Sequence, residues 1–161
     1  MSSEHNQPAI YSNLRVGEEV GASSWIVVDQ TMITGFGMVT LDPEPLHVDP
    51  EWAAKYSPYG GTIAFGFLTM SLLTAMIRDA MGIREYTTGP SEGHYLNYGI
   101  DKLRLLQPIP VDSRVRGRFR VIGNRVDEKG RNIVTFNCEV EVEGSDRPAL
   151  VAEWLSVYVA D

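Results

Sequence analysis

The sequence predicts an α+β domain in which an antiparallel β-sheet wraps around a long central apolar helix. Residues 63–81 are apolar on almost every side until Arg78-Asp79, the mark of a helix buried in a core. Four strand-like runs follow, at 94–106, 113–123, 133–142 and 150–160, parted by Pro108 and Pro110 and by turn-rich stretches at 127–130 and 144–148. No helical segment stands between these runs, which implies antiparallel pairing.

The elements before the central helix are shorter. Residues 1–13 read as a flexible leader, and residues 14–161 as one domain. Trp25-Ile26-Val27-Val28 is a short strand, bounded by Gly21-Ala22-Ser23-Ser24 and Asp29. Asp29 caps a helix over 30–40, which Gly35 and Gly37 weaken by about 1 kcal/mol each. Asp49 followed by Pro50 and Glu51 is a helix start signal, and a short helix runs to residue 56. Pro58, Gly60 and Gly61 then turn the chain into the central helix. Gly66 lies near its start, where backbone N–H groups lack helical acceptors.

The chain has 161 residues, 43% hydrophobic and 22% charged, with a formal net charge of −7. Those values fit one ordinary domain with a real core. The acidic balance argues against nucleic acid or an anionic membrane as partner. There is no run of 18 apolar residues to span a membrane and no apolar signal segment in residues 1–8, so a cytoplasmic protein is expected. The single cysteine, Cys138, sits in an alternating run and reads as a small buried apolar residue.

Arg114, Arg116, Arg118 and Arg120 alternate with Val115, Gly117, Phe119 and Val121, so the arginines share one strand face. Glu139, Glu141 and Glu143 alternate in the next run. A hairpin folded about Glu128-Lys129 sets Arg118 opposite Glu139, Arg116 opposite Glu141 and Arg114 opposite Glu143. Cross-strand pairing on a solvated face is therefore expected, with a phosphate-binding patch as the rival reading.

The segment Asp42-Pro43-Glu44-Pro45-Leu46-His47-Val48-Asp49-Pro50 carries the chemistry. An acid and an imidazole lie five positions apart on a stretch stiffened by prolines, which push the residues before them to extended geometry. Histidine titrates nearest neutral pH and serves as general acid or base. Of the other histidines, His5 falls in the leader and His94 opens a strand at the rim. A metal site on Asp42, His47 and Asp49 lacks the further His or Cys of a zinc pattern, and Asp49 reads as a helix cap. Ser71 has no nucleophile-elbow context.

Phe36-Gly37-Met38-Val39-Thr40-Leu41-Asp42-Pro43-Glu44-Pro45-Leu46-His47-Val48-Asp49-Pro50-Glu51-Trp52-Ala53 resembles the hydratase-2 motif of MaoC-like dehydratases, the (R)-specific enoyl-CoA hydratases. Gly61-Thr62-Ile63-Ala64-Phe65-Gly66-Phe67-Leu68-Thr69-Met70-Ser71-Leu72-Leu73 is similar to the start of their central helix. Asn97-Tyr98-Gly99-Ile100-Asp101-Lys102-Leu103-Arg104, with Pro108-Ile109-Pro110-Val111 after it, is similar to the nodulation-protein-N-like branch. The resemblance spans roughly residues 14–160.

It implies a hot-dog fold and reversible addition of water across the C2–C3 double bond of an acyl thioester. Asp42 and His47 would activate the water, and the Gly66 N–H would polarise the thioester carbonyl. Glu44, Phe65, Ser71, Asn97 and Tyr98 would line the substrate. The resemblance implies no metal and no redox cofactor. It implies an acyl-CoA or acyl-carrier-protein thioester as partner, and a homodimer with the substrate tunnel near its interface. The chain departs from the family pattern at Leu41, where glycine is usual, at Glu44, where an amide is usual, and at Phe65, often histidine. A non-catalytic acyl-CoA or lipid-binding protein and a hot-dog thioesterase are the rival readings.

Overall fold

Strand β4 (Ser113–Val126) organises the sheet. Val115, Gly117, Phe119 and Val121 are buried, while Arg114, Arg118 and Arg120 reach solvent through their charged ends, the alternation of a strand with one face on a core. β5 (Asn132–Val142) returns beside β4, β6 (Leu150–Ala160) beside β5, and β3 (Gly93–Leu105) forms the far edge, every pair antiparallel. The other side of β4 takes two short strands, β1 (Glu19–Ala22) and β2 (Ile26–Val28), giving the order β1-β4-β5-β6-β3 with β2 also on β4. The structure is a computed structural model that describes residues 11–83 and 93–160.

The hairpin register is the expected one: Arg118 faces Glu139 and Arg116 faces Glu141. The turn is centred one half-residue later than expected, with the Asp127 N–H donating to the Arg131 carbonyl. A bulge between Val121 and Gly123 offsets that shift. The arginine face is a paired, solvated one. Arg114 meets Glu143 at 2.7 Å, Arg116 and Arg118 share Glu141 at 2.5 and 3.0 Å, and Arg120 pairs with Glu19 of β1. The side chain of Arg118 thus reaches diagonally past Glu139. Arg116 also lies over the Trp25 ring, 4.5 Å from its centroid.

The helices differ more from expectation. α1 (Gln30–Thr40) is capped by Asp29, whose Oδ1 accepts from the Met32 N–H at 2.8 Å. α2 (Pro45–Val48) is a helical turn where a stiff loop was expected. α3 (Pro50–Tyr56) is capped by Asp49, which accepts from the Trp52 N–H at 2.9 Å. That carboxylate is therefore engaged as a cap. The central helix is not one helix over 63–81. It starts at Gly66 and is interrupted at Leu72, as α4 (Gly66–Ser71) and α5 (Leu73–Ala80). Residues 62–64 run extended instead, held to the 109–111 segment by Ala64 N–H to Ile109 O (2.8 Å) and Val111 N–H to Thr62 O (3.0 Å).

Nor is this helix buried all round. Leu68, Leu73, Met76 and Ile77 pack into the core with Phe119, Phe136 and Trp154 of the sheet, whereas Phe67 is 68% exposed and Ser71, Thr74 and Ala75 are exposed beside it. Gly117 permits the helix to lie close on β4, since a Cβ there would stand 2.8 Å from the Met76 Cβ. Within the span expected as a leader, Tyr11, in a 3-10 turn over Tyr11–Asn13, is buried against Tyr95 and Phe136; residues 1–10 lie outside the described residues. Cys138 is buried as expected, and burial pushes its thiol up to about 12. No helix among the described residues is long and apolar enough to cross a membrane.

Candidate active site

α1 ends by folding the chain back on itself. Leu41 adopts a left-handed conformation (φ 60°), its N–H bonding to carbonyls of the last turn, and its side chain is 87% exposed. This is the position where a glycine is easiest to place. Asp42 follows, its N–H on the Gly37 carbonyl at 2.9 Å. A Cβ on Gly37 would stand 2.8 Å from the Asp42 carbonyl oxygen, 2.9 Å from Val48 Cγ1 and 3.0 Å from Phe65 Cζ. Gly37 is therefore the floor on which the Asp42 turn, α2 and Phe65 meet. The Asp42 carboxylate is exposed and accepts from the Glu44 N–H at 3.3 Å.

Pro45 starts α2 one residue after Glu44, and α2 carries His47. The Glu44 carbonyl accepts from the N–H groups of His47 and Val48, while its side chain is exposed and makes no capping bond. The half-buried imidazole of His47 is held on two sides. Its Nδ1 lies 2.7 Å from the Ile63 carbonyl, and its ring stacks on Phe65 with centroids 3.9 Å apart. A carbonyl only accepts, so Nδ1 carries the proton. In the neutral ring Nε2 is then the basic nitrogen.

Phe65 is buried and immediately precedes α4, whose first residue is Gly66. The N–H of a first helical residue has no intrahelical acceptor and sits at the positive end of the helix dipole. A Cβ on Gly66 would run into the Leu105 side chain at the end of β3, which would have to turn aside. Phe65 thus links the two halves of the site: its ring carries His47, and its backbone leads into Gly66.

The remaining candidates are scattered. Ser71 is exposed on α4, its hydroxyl donating to the Phe67 carbonyl at 2.8 Å. Asn97 and Tyr98 lie on the edge strand β3, where Tyr98 is the extra residue of a bulge and faces the Arg131 guanidinium at 5.3 Å. At the ~3.3 Å rise of a strand, Tyr98 lies roughly 20 Å from the Leu105 end that touches Gly66. The chain therefore brings Asp42, Glu44, His47, Phe65 and Gly66 into one neighbourhood and leaves Asn97 and Tyr98 outside it. His94 pairs with Val159 near the start of β3, at the sheet rim.

Three residues at the site carry contacts that the sequence did not assign to them. Gln30 Nε2 donates to the His47 carbonyl at 2.8 Å, Thr62 Oγ1 donates to Gln30 Oε1 at 2.5 Å, and Ile63 supplies the acceptor for His47. Such pairs, 17 and 32 residues apart in the chain, form only on folding.

The strand order, with the helix lying across the inner face, defines a hot-dog fold. The (R)-hydratase from A. caviae involved in PHA biosynthesis superposes with a TM-score of 0.69 at 22% identity, covering 89% of this chain and 96% of that one. The family model of the MaoC like domain matches residues 12–143, and the chain belongs to that family. Nodulation protein N of Rhizobium leguminosarum bv. viciae is 46% identical over 148 residues, 91% of this chain and 88% of that protein. The 3-hydroxyacyl-thioester dehydratase Z of Mycobacterium tuberculosis is 40% identical over 146 residues, 89% of this chain and 91% of that one.

Proposed function

We propose that this chain is a hydro-lyase that hydrates a trans-2-enoyl-CoA reversibly to the (R)-3-hydroxyacyl-CoA. The MaoC-like family and its dehydratase relative support hydration and dehydration of acyl thioesters as the reaction class. The observation that carries the finer reading is the Nδ1–Ile63 bond, which leaves Nε2 as the basic nitrogen of a His47 ring stacked on Phe65, itself in reach of the Gly37 floor under the Asp42 turn. A water held between Asp42 and His47 loses a proton to the pair as its oxygen bonds to C3. The C2–C3 π electrons move towards the thioester, and the oxygen of the resulting enolate takes up charge against the Gly66 N–H. The enolate then collapses, and C2 receives a proton from the pair. Residues of this chain thus supply both proton transfers.

The test is loss of the ultraviolet absorbance of the enoyl thioester across a panel of chain lengths, with chiral analysis of the product. Asp42→Asn and His47→Gln are each expected to lower kcat by about 10²–10⁴-fold, the usual contribution of a positioned acid or base, with the fold intact. Near-wild-type turnover in both variants would remove the pair from the mechanism. Release of free thiol without hydration would instead indicate a thioesterase.

A homodimer is part of the same proposal. Among the described residues β3 is an edge strand with Leu96, Tyr98 and Leu105 exposed, and the helix exposes Phe67; a sheet edge and an apolar helix face both favour cover by a second copy. Light scattering at micromolar concentration is expected to give twice the 17.9 kDa chain mass.

A further inference from the structure

We propose that Gln30 and Thr62 are positioning residues that fix the His47 imidazole relative to the start of α4. The proposal rests on the reading of His47 as the proton-transfer group. Gln30 is the first residue of α1 and is half-buried. Its Nε2 donates to the His47 carbonyl at 2.8 Å and to Thr34 Oγ1 at 3.0 Å, and its Oε1 accepts from Thr62 Oγ1 at 2.5 Å. The His47 carbonyl only accepts, which fixes the orientation of the amide. Thr62 is 2% exposed, and the residue after it carries the carbonyl that takes the His47 Nδ1–H.

These contacts close a ring. Gln30 holds the backbone of His47, the side chain of His47 holds Ile63, and Thr62 holds Gln30. The Ile63 N–H closes on the Leu46 carbonyl at 3.3 Å inside it. His47 lies near the end of a four-residue helix, where carbonyls have no helical donor; Gln30 supplies one. The 62–63 segment leads through Phe65 into Gly66, so the ring fixes how far the imidazole stands from the Gly66 N–H. Both side chains are needed as they are. A glutamate at position 30 has no N–H to give His47, and a valine at position 62 has the shape of threonine without its hydroxyl.

The experiment uses the full chain, ¹⁵N-labelled, with His47→Gln to assign its imidazole signals apart from His5 and His94. Gln30→Met, Thr62→Val and Thr62→Ser are compared with wild type by imidazole NMR and by initial rates on an enoyl-CoA. The wild-type neutral ring is expected in the Nδ1–H form. Gln30→Met and Thr62→Val are expected to mix the tautomers and to lower kcat about 10-fold with KM within about two-fold, because the ring is misplaced rather than the substrate released. Thr62→Ser is expected to restore both. An unchanged tautomer in both clasp variants overturns the proposal, whatever happens to the melting temperature. So does Thr62→Ser behaving as Thr62→Val. Where Gln30→Met fails to fold, Thr62→Val with its serine rescue decides alone. If the wild type hydrates no enoyl thioester, the hydratase reading fails, while tautomer mixing still supports the clasp.

Discussion

The imidazole of His47 lies on the ring of Phe65, its centroid 3.9 Å away and its plane 29° from parallel. Phe65 is in turn 5.3 Å from the Phe36 ring and in close reach of Gly37. The residue that departs from the family's frequent histidine therefore has a defined place as the platform for His47. Phe65→Leu keeps most of the volume and loses the stack. It is expected to cost roughly 1–1.5 kcal/mol of stability and to lower kcat several-fold. Urea unfolding and initial rates measure the two effects; an unchanged kcat would show that the stack takes no part in orienting His47.

Gly35 and Gly37 weaken α1 alike on propensity, and the structure separates them. A Cβ at Gly35 meets nothing within 4 Å, whereas one at Gly37 meets the Asp42 carbonyl, Val48 and Phe65 at 3.0 Å or less. Gly35→Ala is expected to stabilise the chain by roughly 0.5–1 kcal/mol and to leave turnover alone. Gly37→Ala is expected to destabilise it by roughly 1–3 kcal/mol and to depress turnover, because the Asp42 turn must move. Melting curves and rates for the two variants side by side test this; matching behaviour would show that the floor under Asp42 yields freely.

What the sequence carried and what it did not follow from the range of the interactions. The alternation of Val115, Gly117, Phe119 and Val121 with arginines is local, so β4 and its register with β5 were legible. The caps Asp29 and Asp49 were legible for the same reason. β1 was missed because Gly21 and Ala22 look like a boundary, and only pairing with β4 makes them a strand. The start of the central helix was set three residues early. Ile63 and Ala64 are apolar, but their backbones are taken by Leu46 and Ile109, and periodicity cannot register a distant acceptor. Asp42 and His47 stood out by type and spacing; the Gln30–Thr62 clasp did not, since polar residues at those positions are ordinary for a helix start and a loop.

Burial alone would raise the Glu141 carboxyl, but hydrogen bonds from Arg116 and Arg118 outweigh it and hold its pKa below the ordinary value. The folded pKa is depressed, so the stabilisation is present above the ordinary glutamate range and is lost as pH falls through the lowered value. Glu141→Gln is expected to be less stable than wild type at pH 7 by roughly 0.5–1 kcal/mol, a modest figure because the pair is partly solvated. The gap should close progressively below about pH 4. Urea midpoints for both proteins at the two ends of that range measure it, and a gap independent of pH would assign the loss to packing.

Glu44 is the remaining departure that bears on chemistry. Its N–H bonds the Asp42 carboxylate and its carbonyl takes the His47 N–H, so its backbone ties the pair together whatever its side chain is. The side chain is exposed and caps nothing. A change there should therefore leave the geometry of Asp42 and His47 in place and alter only what the mouth of the site presents to substrate. An ionised carboxylate accepts but cannot donate, and it disfavours an approaching apolar chain more than an amide does. Glu44→Asn restores the amide chemistry usual in the family and also improves the N-cap of α2, by about 0.5–1 kcal/mol. Hydration of simple alkyl enoyl-CoAs is expected to rise in this variant, and hydration of an enoyl-CoA with a hydrogen-bond donor on its acyl chain to fall. Values of kcat/KM for both proteins on short, long and polar substrates decide it. A rise on every substrate would mark Glu44 as a defect of the site rather than its selector, and equal values throughout would place the carboxylate in solvent with no part in recognition.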